Sequence, residues 1–143
     1  MRTFILSCLL SAPAFIFGQS ALKLECDTMD IGMVRIEIDS LGRQLNSTYR
    51  TVEFPFTNTG NEPLIISQVI GNGNGSAELP QAPVLPGKKG TIIVTINRFR
   101  YSKIIQKDGS HAFITPMIVE GNFKGERQTL YVKGLTIQTR KKK

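Results

Sequence analysis

His111 is the only histidine among the 143 residues, and this narrows the routes to catalysis at once. An activated Ser or Cys nucleophile needs a base beside it. The chain offers neither a Gly-x-Ser-x-Gly elbow nor a Ser-x-x-Lys motif to supply that geometry. A zinc site draws on about three or four His, Cys or carboxylate ligands, which one histidine and one distant cysteine do not provide. His111 therefore reads as a polar strand residue. Asp27 with Asp30, and Glu37 with Asp39, are paired carboxylates in sequence, but nothing places them across a cleft, so they read as solvated strand edges and turns. Gly71-Asn72-Gly73-Asn74-Gly75 is glycine-rich, but a phosphate cradle opens a helix and brings Lys with Ser or Thr, and here no helical pattern follows. It reads as an exposed loop, with Gly71, Asn72, Gly73 and Asn74 as candidate partner contacts. Arg98, Arg100, Lys103 and Lys107 interleave with Phe99 and Tyr101. The plainer reading of that stretch is a solvated basic hairpin. The sharper one is a contact surface for an acidic or anionic partner, carried by Arg98, Phe99, Arg100, Tyr101 and Lys103. The expectation is a non-catalytic protein with no cofactor and no metal.

The elements that must carry these residues begin after an apolar N-terminal run. Met1-Arg2-Thr3 precedes Phe4-Ile5-Leu6-Ser7-Cys8-Leu9-Leu10, and small residues gather at Gly18 and Ser20. A basic start, a short apolar core and a small-residue end describe a secretory signal peptide, expected over residues 1–20 with cleavage between Gly18 and Ala21. Pro13 interrupts the run, which is shorter than the roughly 20 residues that span a bilayer, so no stable membrane span is expected after cleavage. Cys8 lies too early in the run for a lipid-attachment cysteine. Cys26 is then the sole cysteine of the mature chain and forms no internal disulfide.

Net charge is +7, from 18 basic and 11 acidic residues. Without Arg2, 17 basic residues remain, and four of these are the terminal Arg140-Lys141-Lys142-Lys143. The body of the domain is thus 13 against 11, or +2. The basicity belongs to the tail, residues 139–143, and favours at most weak attraction to anionic surfaces. An exported protein meets no genome, so a nucleic-acid partner is not expected.

Between residues 21 and 138 the pattern is β throughout. Leu22-Lys23-Leu24-Glu25 alternates apolar and charged, as does Val34-Arg35-Ile36-Glu37-Ile38. A strand over 49–57 would point Val52, Phe54 and Phe56 inward. Pro55 in it, and Pro116 in a strand over 111–119, place those strands at sheet edges or bulges. Asn58-Thr59-Gly60-Asn61 suits a tight turn through the positive φ that Asn and Gly tolerate. The near-continuous aliphatics of 64–70 suggest a strand covered on both faces. Pro86-Gly87 turns into 90–97, where Ile92, Val94 and Ile96 face inward. The last strand, 127–138, carries Gly134 as a bulge. These runs give about seven strands, the pattern of a single immunoglobulin-like antiparallel β-sandwich.

These residues also resemble the DUF1573 family of bacterial envelope proteins. The likeness runs through Asp30-Ile31-Gly32, then Phe54-Pro55-Phe56-Thr57-Asn58-Thr59-Gly60-Asn61-Glu62-Pro63-Leu64-Ile65-Ile66. It continues through Pro86-Gly87, the Ile92, Val94, Ile96 strand and Leu130-Tyr131-Val132-Lys133-Gly134. Members often carry Cys-Gly-Cys where this chain has Gly73-Asn74-Gly75, so a thiol or metal role tied to that motif is absent here. The resemblance implies an envelope β-sandwich and carries no activity. The expected function is a non-catalytic binding or assembly subunit of the periplasm or cell envelope, acting on an envelope protein partner. One form of it is an accessory subunit of an outer-membrane secretion or uptake complex. The alternative is an electrostatic binder of anionic envelope polymer or lipid, through the tail and residues 98–107.

Overall fold

Val34, Ile36 and Ile38 are all buried while Arg35 and Glu37 between them are exposed, so the alternation read from the sequence is the alternation of a half-buried strand. The computed structural model describes residues 18–45, 49–71, 73, 75–97 and 107–141. These form eight strands: β1 (Leu22–Leu24), β2 (Thr28–Ile38), β3 (Arg50–Asn58), β4 (Ile66–Ile70), β5 (Gly75–Glu78), β6 (Lys89–Ile96), β7 (His111–Gly121) and β8 (Arg127–Arg140). They make two four-stranded sheets, ordered β1-β3-β6-β5 and β2-β8-β7-β4. Phe54, Phe56, Ile92, Val94 and Ile96 of the first sheet meet Val34, Ile36, Val119, Leu130 and Val132 of the second in one apolar core.

The all-β immunoglobulin-like sandwich is as expected, with two refinements. One is an extra strand, β5, which the Gly/Asn-rich sequence before it concealed. The other is that β2 pairs with β8 in parallel. The chain switches sheets between Leu24 and Thr28, so its N-terminal edge is split into β1 on one sheet and β2 on the other. The first and last long strands then lie side by side in the same direction, with the whole domain as the crossover that a parallel pair requires.

The prolines correct the expected edges. β3 and β7 are interior strands, yet each proline faces a gap. β1 pairs only with residues 56–58, and the last bond at that end runs from the Glu25 N–H to the Pro55 carbonyl at 3.1 Å. Carbonyl and N–H of one strand residue point to the same side, so the missing Pro55 donor falls where β1 stops and removes nothing from the β6 ladder. Pro116 lies beyond the end of the β4 ladder, which stops at Ile70 against Ile118. β7 also runs unbroken through Pro116, which pairs with Tyr131.

The bulge expected at Gly134 lies on the partner strand. Asp30 pairs with Lys133 and Met33 with Leu135, so Ile31 and Gly32 together oppose the single Gly134. Gly32 takes φ 72°, and its N–H donates to the Asp30 carboxylate at 2.8 Å. Residues 64–70 are not covered on both faces either: Leu64 is buried, but β4 is the outermost strand of its sheet and largely exposed.

Two carboxylates hold turns. Asp39 accepts from the backbone N–H groups of Arg43 and Leu41, both at 2.9 Å, and from Arg43 Nε at 2.7 Å; the Arg43 backbone bond does most to hold its pKa below the usual range. Asp108 is lowered chiefly by the Ser110 hydroxyl, which donates to it at 2.6 Å. Both folded pKa values lie below the unfolded one. Their support is therefore complete above the ordinary carboxylate pKa of about 4 and is lost as pH falls through the depressed folded values. Amide chemical shifts of Arg43 and Ser110 should stay constant from about pH 7 to pH 5 and move only below about pH 4. Movement above about pH 5 would contradict this assignment.

Candidate functional site

Interior residues of β7 alternate faces: Phe113, Thr115, Met117 and Val119 are buried, while Ile114 and Pro116 are exposed. Ile114, Pro116 and Ile118 therefore share the outer face of the second sheet. Ile70 of β4 sits directly opposite Ile118, and Tyr131 of β8 directly opposite Pro116, so both add to the same face. The result is an outward apolar strip crossing β4, β7 and β8, in a position where a solvated sheet face would carry polar residues. Ile114 is 59% exposed and Ile70 43%, with Ile65 at 50% just before β4.

An open edge borders the strip. The run Leu64-Ile65-Ile66-Ser67-Gln68-Val69-Ile70 contains no charged residue, and β4 has no strand on its outer side among the described residues. Past Ile70, residues 111–117 of β7 have no β4 partner. The other edges carry the features that discourage pairing. β1 and β5 have only 3 and 4 residues. β2 is long, but it holds Asp30, Arg35 and Glu37 and is bent by the Gly32 bulge. β4 is itself short, with 5 residues and a register irregularity between Ile66 and Gln68, but among the described residues it is an edge strand that carries no charged side chain.

Two asparagines fix where this edge starts. Asn58 is fully buried. Its Oδ1 accepts from Ala21 N at 3.3 Å and Gly60 N at 3.0 Å, and its Nδ2 donates to Glu62 O at 2.7 Å and Val84 O at 2.9 Å. Asn122 Oδ1 accepts from Ile65 N at 2.8 Å and from the Ser20 hydroxyl at 3.0 Å, and its Nδ2 donates to Pro63 O at 3.0 Å. The turn after β3 is thus built differently from the expectation. Neither Asn58, Gly60 nor Asn61 has positive φ; the Asn58 side chain closes the turn instead. Gly60 is required by space, because a Cβ there would lie 2.1 Å from Gln19 O.

Of the residues singled out from sequence, Gly71 and Gly73 lie in the described part, immediately after β4 and so beside the open edge. Gly73 takes φ 81° with nothing within 4 Å of a Cβ, as an exposed turn does. Asn72, Asn74, Arg98, Phe99, Arg100, Tyr101 and Lys103 fall outside the described residues. The strip of Ile70, Ile114, Pro116 and Ile118 was not among the sequence candidates. Its signal was there, because residues 112–119 are apolar on both faces, apart from Thr115. Reading Pro116 only as the mark of a sheet edge or bulge hid it. Among the described residues no three His, Cys, Asp or Glu side chains gather so as to hold a metal ion, and no helix is long and apolar enough to cross a membrane. Cys26 is exposed, and His111 lies at the start of β7.

Comparison with known proteins gives a family and a fold. The family model described as "Protein of unknown function (DUF1573)" matches residues 36–136. No curated protein matches the chain. A crystal structure of a protein of unknown function from Porphyromonas gingivalis W83 aligns with a TM-score of 0.58 at 16% identity, over 87% of this chain and 50% of that one. The secreted serine protease VesC from Vibrio cholerae aligns at 0.50 and 13% identity, over 81% of this chain and 23% of that one. The PapD-like domain 7 of human CEP192 aligns at 0.48 and 9% identity, over 97% of this chain and 98% of that domain. This chain therefore spans half or less of the first two proteins. At such identities the likeness is one of fold alone.

Proposed function

The chain belongs to the DUF1573 family, whose function is unknown, and from that premise we propose that it is a non-catalytic binding or assembly module of the bacterial envelope, working through protein–protein contact. The observation that carries this reading is the β4 edge: a charge-free strand with no strand on its outer side among the described residues, continuous with an apolar strip. An extended segment of a partner can add to such an edge, its backbone supplying affinity and its alternate side chains resting on the strip. The envelope location rests on the signal-like N-terminal run. The absence of a catalytic role rests on the sparse complement of bases, nucleophiles and ligands.

Placing Lys at Ile65 and Ile70 together tests it. Both side chains are substantially exposed, so the fold should keep its Tm within a few degrees while the edge gains the charges that block strand addition. Affinity capture from envelope extract should retain one partner with the natural chain at both low and physiological salt. The Ile65→Lys, Ile70→Lys variant should lose that partner by roughly tenfold or more. Capture that vanishes with salt and ignores the two lysines would contradict the edge reading and favour the basic tail acting on anionic polymer or lipid.

A further inference from the structure

Ser20 is 2% exposed, although the residues before Ala21 have the composition of a discarded leader. Its hydroxyl donates to Asn122 O and Oδ1, each at 3.0 Å, and its carbonyl accepts from Lys124 N at 3.0 Å. It forms a parallel bridge with Phe123, which is itself buried. Gln19 is bound as firmly through its backbone: its N–H donates to Asn61 Oδ1 at 2.8 Å, and its carbonyl accepts from Asn61 N at 3.2 Å. Gly60 lacks a side chain because Gln19, Ser20 and Ala21 lie against it. The two residues are therefore part of the sandwich, filling the end where β3, β4 and the β7–β8 hairpin converge.

The sequence pattern alone favours a cut after Ser20, which would put Ser20 and Gly18 at the two small-residue positions a signal peptidase reads. That cut would discard Gln19 and Ser20. It would leave Asn61 and Asn122 each short of a partner, and it would open a gap beside Phe123. A cut after Gly18 keeps every one of these bonds. It also makes use of Glu62, whose carboxylate lies against Gly18: a methyl placed there would sit 2.3 Å from its Oε1.

We propose that the chain is processed between Gly18 and Gln19, so that the mature protein begins at Gln19 with its new α-ammonium beside the Glu62 carboxylate and the Asn61 side chain. Water adds across the Gly18–Gln19 peptide bond as the C–N bond breaks: the hydroxyl goes to the Gly18 carbonyl carbon and the proton to the Gln19 nitrogen, and the new acid's proton then passes to that amine, leaving a carboxylate on the leader and an α-ammonium on Gln19. The α-ammonium gains Glu62 as a counter-charge and keeps Asn61 Oδ1 as an acceptor. The peptidase meets an unfolded chain, so the burial of Ser20 is no barrier to cleavage. Its burial shows which residues the folded product uses. This inference rests on the reading of residues 1–18 as an export leader.

Intact-mass and N-terminal peptide analysis of the protein recovered from the envelope fraction of expressing cells tests it. A first residue of Gln19 with a free α-amine is the expected result; pyroglutamate at that position would keep the cut and overturn the pairing of an α-ammonium with Glu62. A first residue of Ala21, or any other internal start, overturns the inference and leaves the export reading standing. A chain that retains Met1 overturns both. As a second measurement, purified chains starting at Gln19 and at Ala21 should differ in Tm by about 5 °C, the Ala21 form melting lower. Equal melting would show that residues 19 and 20 contribute nothing to the fold and would overturn the structural basis.

Discussion

Asn58→Ala is expected to lower stability by about 4 kcal/mol and Tm by about 15 °C, because all four hydrogen-bonding positions of the Asn58 amide are used inside the protein. A hydrogen bond to a buried backbone group contributes only about 1 kcal/mol net, but stranding such a group away from water costs roughly 1–3 kcal/mol. The substitution takes the Asn58 partner away from Ala21 N, Gly60 N and Glu62 O, and leaves the buried Val84 carbonyl with only its bond from Leu64 N at 2.8 Å. Asn58→Asp should be nearly as damaging, since a carboxylate can accept from Ala21 and Gly60 but cannot donate to Glu62 and Val84, and it brings a buried charge. Thermal denaturation followed by circular dichroism checks both. If the alanine variant melted within about 3 °C of the natural chain, Asn58 would not hold the turn as described.

Gly134→Ala should cost about 3 kcal/mol, a large effect for one methyl group, because of what lies over the glycine. A Cβ at that position would be 2.7 Å from Gly32 O and 3.0 Å from both Ile31 Cγ1 and Phe113 Cε1. The carbonyl is backbone, held in a bulge at φ 72°, and cannot step aside cheaply. Gly32→Ala offers the contrast. There the added methyl meets nothing within 4 Å, and the expected cost of about 1–2 kcal/mol comes from backbone conformation alone. Urea denaturation of the two variants separates crowding from strain. Equal costs, or a Gly134→Ala variant as stable as the natural chain, would remove the bulge from its place over Gly134.

Much of the fold was legible because strand alternation is a direct physical record of burial. Phe54 and Phe56, Ile92 with Val94 and Ile96, and Leu130 with Val132 all point inward as their spacing requires. Pairing was less legible. A parallel partnership between β2 and β8 is decided by how the chain switches sheets near Cys26, which no local pattern announces. Pro55 and Pro116 correctly signalled missing pairing on one side, but that signal cannot tell a sheet's outer strand from an interior strand whose neighbour stops short. The candidate site was the least legible part. Its apolar residues are indistinguishable in type from core residues, and only the register of Ile70 against Ile118 and of Pro116 against Tyr131 gathers them on the outside.

The central claim is that the protein meets its partner at the β4 edge and the strip beside it. A photo-cross-linking amino acid at Ile70, compared with the same residue at the exposed Met33 on the β2 edge, addresses this directly in living cells. Illumination should give one discrete heavier adduct from position 70 and none from position 33. An adduct from position 33 alone, or silence at position 70 while the protein remains folded and abundant, would contradict the account.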